Sequence, residues 1–252
     1  MNRNELIILN DVSFSYHENQ MIIKHLNLVI HEGESVGLLG ESGCGKTTLA
    51  SLILNFLKPN NGSIIVNKKD LNTLNRKAKK DFYREVQMVF QDPSSSLDSL
   101  MSVEKLIEEP LLIHKIGTKE ERERKVMEVM KMVGLSSAYH NSYPSELSGG
   151  LKQRLAIAIA LVLNPKIVIL DECVSALDVS IQAQILNLLI SLQKSLNLTY
   201  LFITHDLNVA SYIADTICVM ENGEIVEKNG CKELFESPKH PYTKSLLSAS
   251  IG

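Results

Sequence analysis

The chain has 252 residues, 44% hydrophobic and 22% charged, with 26 Lys and Arg against 29 Asp and Glu for a formal charge of −3. At this length folding buries roughly three quarters of the extended surface, enough for one large domain or two small ones without disulfides or metals, and the composition excludes a disordered chain. No basic excess advertises DNA or RNA, so nucleic acid is not expected as a partner.

The N-terminus alternates like a strand and lacks a long apolar segment followed by small residues, so no secretory signal is expected and the chain reads as cytoplasmic. Apolar alternation over 6–9, 12–16 and 26–30, broken by Asn, Asp, His and Glu, predicts β-structure. Asn61-Gly62 reads as a hairpin turn ahead of a strand at 63–66, and Asn222-Gly223 as a hairpin turn between 217–220 and 224–227. Short apolar runs at 35–39, 167–170 and 199–203, each near a long helical pattern, predict a parallel α/β sheet. From about residue 98 to 163 the periodicity turns helical, predicting an inserted helical subdomain. Within it Thr118 and Glu121 fit a capping box that opens a solvated helix, and Met127, Met130 and Met132 read as packing material. The apolar stretch at 155–163 is well short of the ~20 residues needed to cross a bilayer. Cys44, Cys173, Cys218 and Cys231 show neither CxxC nor zinc-finger spacing, which predicts free thiols in a reducing compartment.

Two motifs carry chemistry on their own. Gly40-Glu41-Ser42-Gly43-Cys44-Gly45-Lys46-Thr47 matches GxxxxGK[ST], directly after the strand SVGLL and directly before the helical run TTLASLILNFL. The glycines let successive backbone N–H groups and a helix N-terminus face an anion. Lys46 adds charge for the β- and γ-phosphates, the Thr47 hydroxyl can ligate Mg²⁺, and Thr48 joins the nucleotide contacts. The apolar run 167–170 ends in Asp171 and Glu172, where the ligands of such a sheet gather; Asp171 is expected at Mg²⁺ and Glu172 as the group that polarises an attacking water.

Leu147-Ser148-Gly149-Gly150, followed by Lys152-Gln153-Arg154 and an Ala/Ile/Leu helix, resembles the signature of ABC transporters. Further motifs stand in that family's order: Gln91 after VQMVF resembles the Q-loop, Ser175-Ala176-Leu177-Asp178 the D-loop, and His205 after LFIT the switch histidine. Tyr16 falls where the family places an aromatic that stacks on adenine, with a buried strand tyrosine as the other reading. Gln91-Asp92-Pro93-Ser94-Ser95-Ser96-Leu97, Glu108-Glu109-Pro110-Leu111 and Ser237-Pro238-Lys239-His240-Pro241-Tyr242-Thr243-Lys244 are similar to segments of the ATPases of oligopeptide, dipeptide and nickel importers, and of their second ATPase in particular.

The resemblance implies an α/β fold: a P-loop NTPase (RecA-like) core over 1–92 and 164–252 with an antiparallel β subdomain, and an α-helical signature subdomain at 93–163. It implies hydrolysis of ATP with Mg²⁺, the metal near Thr47, Gln91 and Asp171, and catalysis by Glu172, His205 and Gln91. The nucleotide would be closed in across a head-to-tail dimer by the partner's Ser148, Gly149 and Gly150, with Asp178 also among the nucleotide contacts. The implied partners are a second ATPase subunit, by the family's tendency a different one, two membrane-spanning permease subunits and, indirectly, an extracytoplasmic solute-binding protein, with this chain peripheral on the cytoplasmic face of the membrane. The cargo stays open among peptides, nickel and metal-chelator complexes, and so does homodimer against heterodimer. No cysteine-rich extension follows the HPYTK segment, so no iron–sulfur site is implied. Leu151 replaces the usual Gln after the signature, which keeps open a regulatory or non-transport ABC ATPase with weak or no hydrolysis, and Cys173 replaces the usual Pro after the catalytic Glu, which relaxes a backbone constraint. Cys44 lies inside the phosphate loop, where a helix N-terminus is expected to lower a thiol's pKa.

Overall fold

The N-terminal alternation becomes two long antiparallel strands, β1 (Glu5–Ser15) and β2 (Met21–His31), in a computed structural model that describes residues 4–17 and 20–250. The runs expected at 6–9 and 12–16 are therefore one strand. It is bent by a bulge at Asp11, which takes φ +50° as the register with β2 slips between Leu9 and Val12. The Asp11 N–H that the bulge removes from the ladder is met by Asn27 Oδ1 at 2.9 Å. β3 (Ser35–Leu39), buried at every position, leads to α1 (Lys46–Ile53), and β4 (Asn61–Val66) and β5 (Lys69–Asp70) complete an antiparallel sheet in the order β2-β1-β4-β5.

The turn expected at Asn61-Gly62 is instead part of β4, where Asn61 pairs with Ser13 of β1. Gly62, at φ +85°, lies against the β1 bulge, and a Cβ there would stand 2.4 Å from the carbonyl oxygens of Asn10 and Asp11. A glycine that admits a close backbone reads in sequence like a glycine that turns a hairpin.

The chain then runs through α2 (Arg76–Glu85), β6 (Val86–Val89), α3 (Pro93–Ser96), α4 (Val103–His114), α5 (Lys119–Met132), α6 (Gly149–Leu161), β7 (Ile167–Asp171) and α7 (Val179–Leu196). It closes with β8 (Thr199–Thr204), α8 (Leu207–Ile213), β9 (Thr216–Glu221), β10 (Glu224–Gly230), α9 (Cys231–Glu236) and α10 (Pro241–Ser250). These elements form two compact units, Met1–Lys79 with Asn197–Gly252, and Lys80–Leu196.

In the first unit β3 is flanked by β8 and β9 and runs parallel to both, as the short apolar runs at 35–39 and 199–203 predict. β10 folds back antiparallel on β9 through Asn222 (φ +49°) and Gly223 (φ +88°), the predicted hairpin turn. Leu39, Leu207, Ala210, Ile217, Val219, Leu234 and Leu247 form one apolar cluster that ties α8, α9 and α10 to the end of β3. In the second unit β6 and β7 are parallel, and α4, α5 and α6 pack on one another. α6 is apolar nearly all round because it also packs on β6 and α7. The capping box is present: the Glu121 N–H donates to Thr118 Oγ1 at 3.3 Å and the Thr118 N–H to Glu121 Oε2 at 2.7 Å. Of the three methionines read as packing, Met130 is buried and Met132 half-buried, whereas Met127 is 40% exposed. Among the described residues no helix is long and apolar enough to cross a membrane.

Candidate functional site

The phosphate loop joins the carboxyl end of β3 to α1, and its shape is dictated by what lies behind it. A Cβ at Gly40 would stand 2.3 Å from the Met220 carbonyl oxygen, and one at Gly45, which takes φ +112° as the N-cap of α1, 2.9 Å from Met220 Cε. Glycine is required at Gly40 by the close backbone and at Gly45 by its left-handed φ. The Gly223 N–H donates to the Cys44 carbonyl at 3.1 Å, so the β9–β10 turn supports the loop from outside. Lys46 is only 6% exposed, and its ammonium donates to the Gly40 and Glu41 carbonyls at 2.8 and 2.9 Å. The Glu41 N–H donates to the Tyr242 hydroxyl at 3.1 Å.

Ser42, Gly43 and Thr47 are exposed at the open face of the loop. The Thr48 hydroxyl lies 3.4 Å from that of Tyr16. Tyr16 stands just past the end of β1, 56% exposed and edge-on to Phe14 at 4.9 Å, so the buried-strand reading does not hold. His205, exposed, directly follows β8, and Asp206 beside it caps α8 by accepting the Asn208 N–H at 2.8 Å.

The thiol pKa expected at Cys44 is corrected. Burial of the sulfur dominates and pushes it above the ordinary value, although Lys46, with Nζ 4.0 Å away, pulls it down. Cys173 and Cys218 are wholly buried, with thiols pushed up to about 12 by desolvation. Only a thiolate is alkylated, so iodoacetamide labelling of Cys44 in the folded protein is expected to climb with pH and to level off at a higher pH than that of a free cysteine. MgATP is expected to suppress it, while Cys173 and Cys218 stay unlabelled. Peptide mapping by mass spectrometry checks all of this; a Cys44 rate that levels off below pH 8 would contradict the burial argument.

In the second unit β7 is extended and buried through Asp171, and Glu172 breaks its alternation at φ +44°. A left-handed conformation costs a non-glycine residue on the order of 1–3 kcal/mol. It is held by a turn in which the Ser175 N–H and hydroxyl both donate to the Glu172 carbonyl, at 3.0 and 2.9 Å. The Glu172 carboxylate accepts a hydrogen bond from Gln91 Nε2 at 2.9 Å, joining the second residue past β6 to the residue just past β7. Cys173 points its side chain into the core, where it is 1% exposed. The Asp178 carboxylate accepts from the Ser180 hydroxyl at 2.8 Å and the Ile181 N–H at 3.0 Å, bonds that hold its pKa below the ordinary range and cap α7.

Ser148 is the N-cap of α6, exposed, and its side chain makes no cap bond. Gly149 and Gly150 form the first turn; a Cβ at Gly150 would stand 2.6 Å from Ile181 Cγ2. The helix therefore opens with an exposed hydroxyl and two glycines at its N-terminus, where backbone amides are suited to an anion. Leu151 follows, half-buried.

The ABC transporter family model matches residues 23–175, a span that takes in the phosphate loop, Gln91, the Ser148-Gly149-Gly150 turn and Asp171-Glu172. The chain belongs to the ABC transporter family. This ABC transporter subunit is 48% identical over 231 residues to the oligopeptide transport ATP-binding protein OppF of Bacillus subtilis (strain 168), an alignment covering 90% of this chain and 75% of that protein. It is 44% identical over 250 residues to the oligopeptide transport ATP-binding protein AmiF of Streptococcus pneumoniae serotype 4, covering 97% and 81%. Among solved structures it resembles the dimeric post-hydrolysis state of the ATP-binding cassette MJ0796 bound to ADP and Pi, with TM-score 0.80 and 32% identity over 90% of this chain and 99% of that one. It also resembles cbiO1 from Clostridium perfringens, part of the ABC transporter complex cbiONQ, with TM-score 0.86 and 29% identity over 93% and 92%. The fold is that of ABC ATPase cassettes, and the chain is an ATP-binding, ATP-hydrolysing subunit of the oligopeptide-importer group.

Sequence reading missed what holds the phosphate loop from behind. Tyr242 is remote from Glu41 in the chain, and its only signal was the family-like segment HPYTK.

Proposed function

We propose that this subunit drives oligopeptide import. It lies peripherally on the cytoplasmic face of the membrane, beneath two membrane-spanning subunits served by an extracytoplasmic binding protein, and pairs with a second, different ATPase subunit. The similarity to proteins named for oligopeptide transport supports peptide over nickel or metal chelates as cargo.

In this reading the loop from Gly40 to Gly45 wraps the phosphates with backbone N–H groups other than that of Glu41, Lys46 neutralises β/γ charge, and the Tyr16 ring stacks on the adenine. Thr47, Gln91 and Asp171 offer hydroxyl, amide and carboxylate oxygens, the hard donors that Mg²⁺ takes one or two at a time alongside phosphates. Bound there, Mg²⁺ would neutralise phosphate charge. Glu172 is the base for the attacking water, His205 holds the γ-phosphate, and Gln91 relays nucleotide state to the helical segment 93–163, whose Ser148, Gly149 and Gly150 face the partner's nucleotide. Asp178 orients the start of α7 beside that turn.

The observation that carries the reading is the Gln91–Glu172 hydrogen bond, because it links the sensor residue to the base at a strained strand end. Its test is reconstitution with the membrane subunits and partner ATPase. Peptide-loaded binding protein is expected to stimulate MgATP hydrolysis several-fold and to drive labelled peptide into vesicles. Stimulation by nickel or a metal chelate in place of peptide would overturn the cargo assignment.

A further inference from the structure

The segment Ser237-Pro238-Lys239-His240-Pro241-Tyr242-Thr243-Lys244 has no part in the chemistry described so far, yet it is built against the back of the phosphate loop. Glu227 on β10 receives it: the Lys239 N–H donates to Oε1 and the His240 N–H to Oε2, at 2.9 Å each. Burial works against that carboxylate, and the two N–H bonds outweigh it, so its pKa lies below the usual range. Pro241, preset for a first helical position, then opens α10 from a fixed origin. Tyr242 is the next residue. Its ring packs on the apolar cluster that includes Leu39, the last residue of β3, and this aims its hydroxyl at Glu41.

The Gly40 carbonyl and the Glu41 N–H belong to one planar peptide group and point in opposite directions. The N–H end donates to Tyr242 at 3.1 Å, and the carbonyl end accepts from Lys46 Nζ at 2.8 Å. Rotation of that peptide plane would break both bonds. We infer that Tyr242 is a positioning residue for the nucleotide: by gripping the Gly40–Glu41 peptide from behind, its hydroxyl sets the carbonyl that anchors Lys46, so the C-terminal segment braces the phosphate loop. The inference rests on reading that loop as the ATP site.

Tyr242→Phe keeps the ring and removes the grip. On the purified full chain, the Kd for a fluorescent MgATP analogue is expected to rise about threefold to tenfold, the loss of one neutral hydrogen bond, with the melting temperature lowered by no more than about 6 °C. Glu41→Pro removes the donor instead and is expected to weaken binding by the same factor, and the double variant to be no weaker than either single one. A role for the ring alone would leave the Tyr242→Phe affinity at the wild-type value, and this outcome, or additive losses in the double variant, overturns the inference. Where Glu41→Pro lowers the melting temperature, the Tyr242→Phe affinity decides alone. Wild type that fails to bind the analogue overturns the ATP site and the brace together; wild type that binds, with Tyr242→Phe equal to it, overturns only the brace.

Discussion

Glu172→Gln is expected to lower MgATP turnover by about 10²–10⁴-fold, the range of a general base, while nucleotide affinity stays within a few-fold of wild type. The amide is isosteric and can still accept the Gln91 hydrogen bond, made at 2.9 Å in the native chain, so the strand end keeps its geometry and only charge and basicity are lost. With its partner subunit the variant is expected to accumulate as an ATP-bound dimer, because a nucleotide that bridges two subunits holds them together until it is cleaved. Glu172→Asp separates charge from reach: it keeps the carboxylate but withdraws it by one methylene from Gln91, and an intermediate loss is expected. Steady-state hydrolysis and size-exclusion chromatography with MgATP read both. A Glu172→Gln subunit turning over at more than a tenth of the wild-type rate would remove Glu172 as base and leave Gln91 bonded to a structural carboxylate.

The parts of this molecule legible in sequence are those whose physics is local. β3, β7 and β8 announce themselves because a strand covered on both faces carries an unbroken apolar run, and Ser35–Leu39, Ile167–Asp171 and Thr199–Thr204 are buried throughout, their Ser, Thr and Asp confined to the ends. The phosphate loop is legible for the same reason, since turn, lysine and helix start are contiguous. What escapes is set by residues far apart in the chain. Gly62 is a glycine because the Asp11 bulge lies against it, and an Asn-Gly pair carries no mark distinguishing that from a hairpin. The Cys44 thiol is raised although it sits at a helix start, because burial outweighs the nearby Lys46 charge. Nor does the sequence mark the bonds by which the Asp178 carboxylate holds Ser180 and Ile181 at the start of α7.

Lys46→Met should separate binding from stability in opposite directions. The native ammonium is almost wholly buried and rests on two carbonyls, of Gly40 and Glu41, at 2.8 and 2.9 Å. A buried cation held by neutral acceptors carries a desolvation cost, and a side chain of similar length without charge removes it. The melting temperature of the nucleotide-free variant is therefore expected to equal or exceed that of wild type. The same charge is what meets the phosphates, and its loss is expected to weaken MgATP binding by about 10²–10³-fold, as for other groups aimed at phosphoryl oxygens. Thermal melts with and without nucleotide read both effects at once. At 100 times its Kd, MgATP adds about 2.7 kcal/mol to wild type, a shift of about 5–10 °C for a chain of this size. The variant is expected to show almost none at the same concentration. A variant that melts well below wild type without nucleotide would mean that Lys46 holds the loop together, and that the Gly40 and Glu41 carbonyls are its structural partners first.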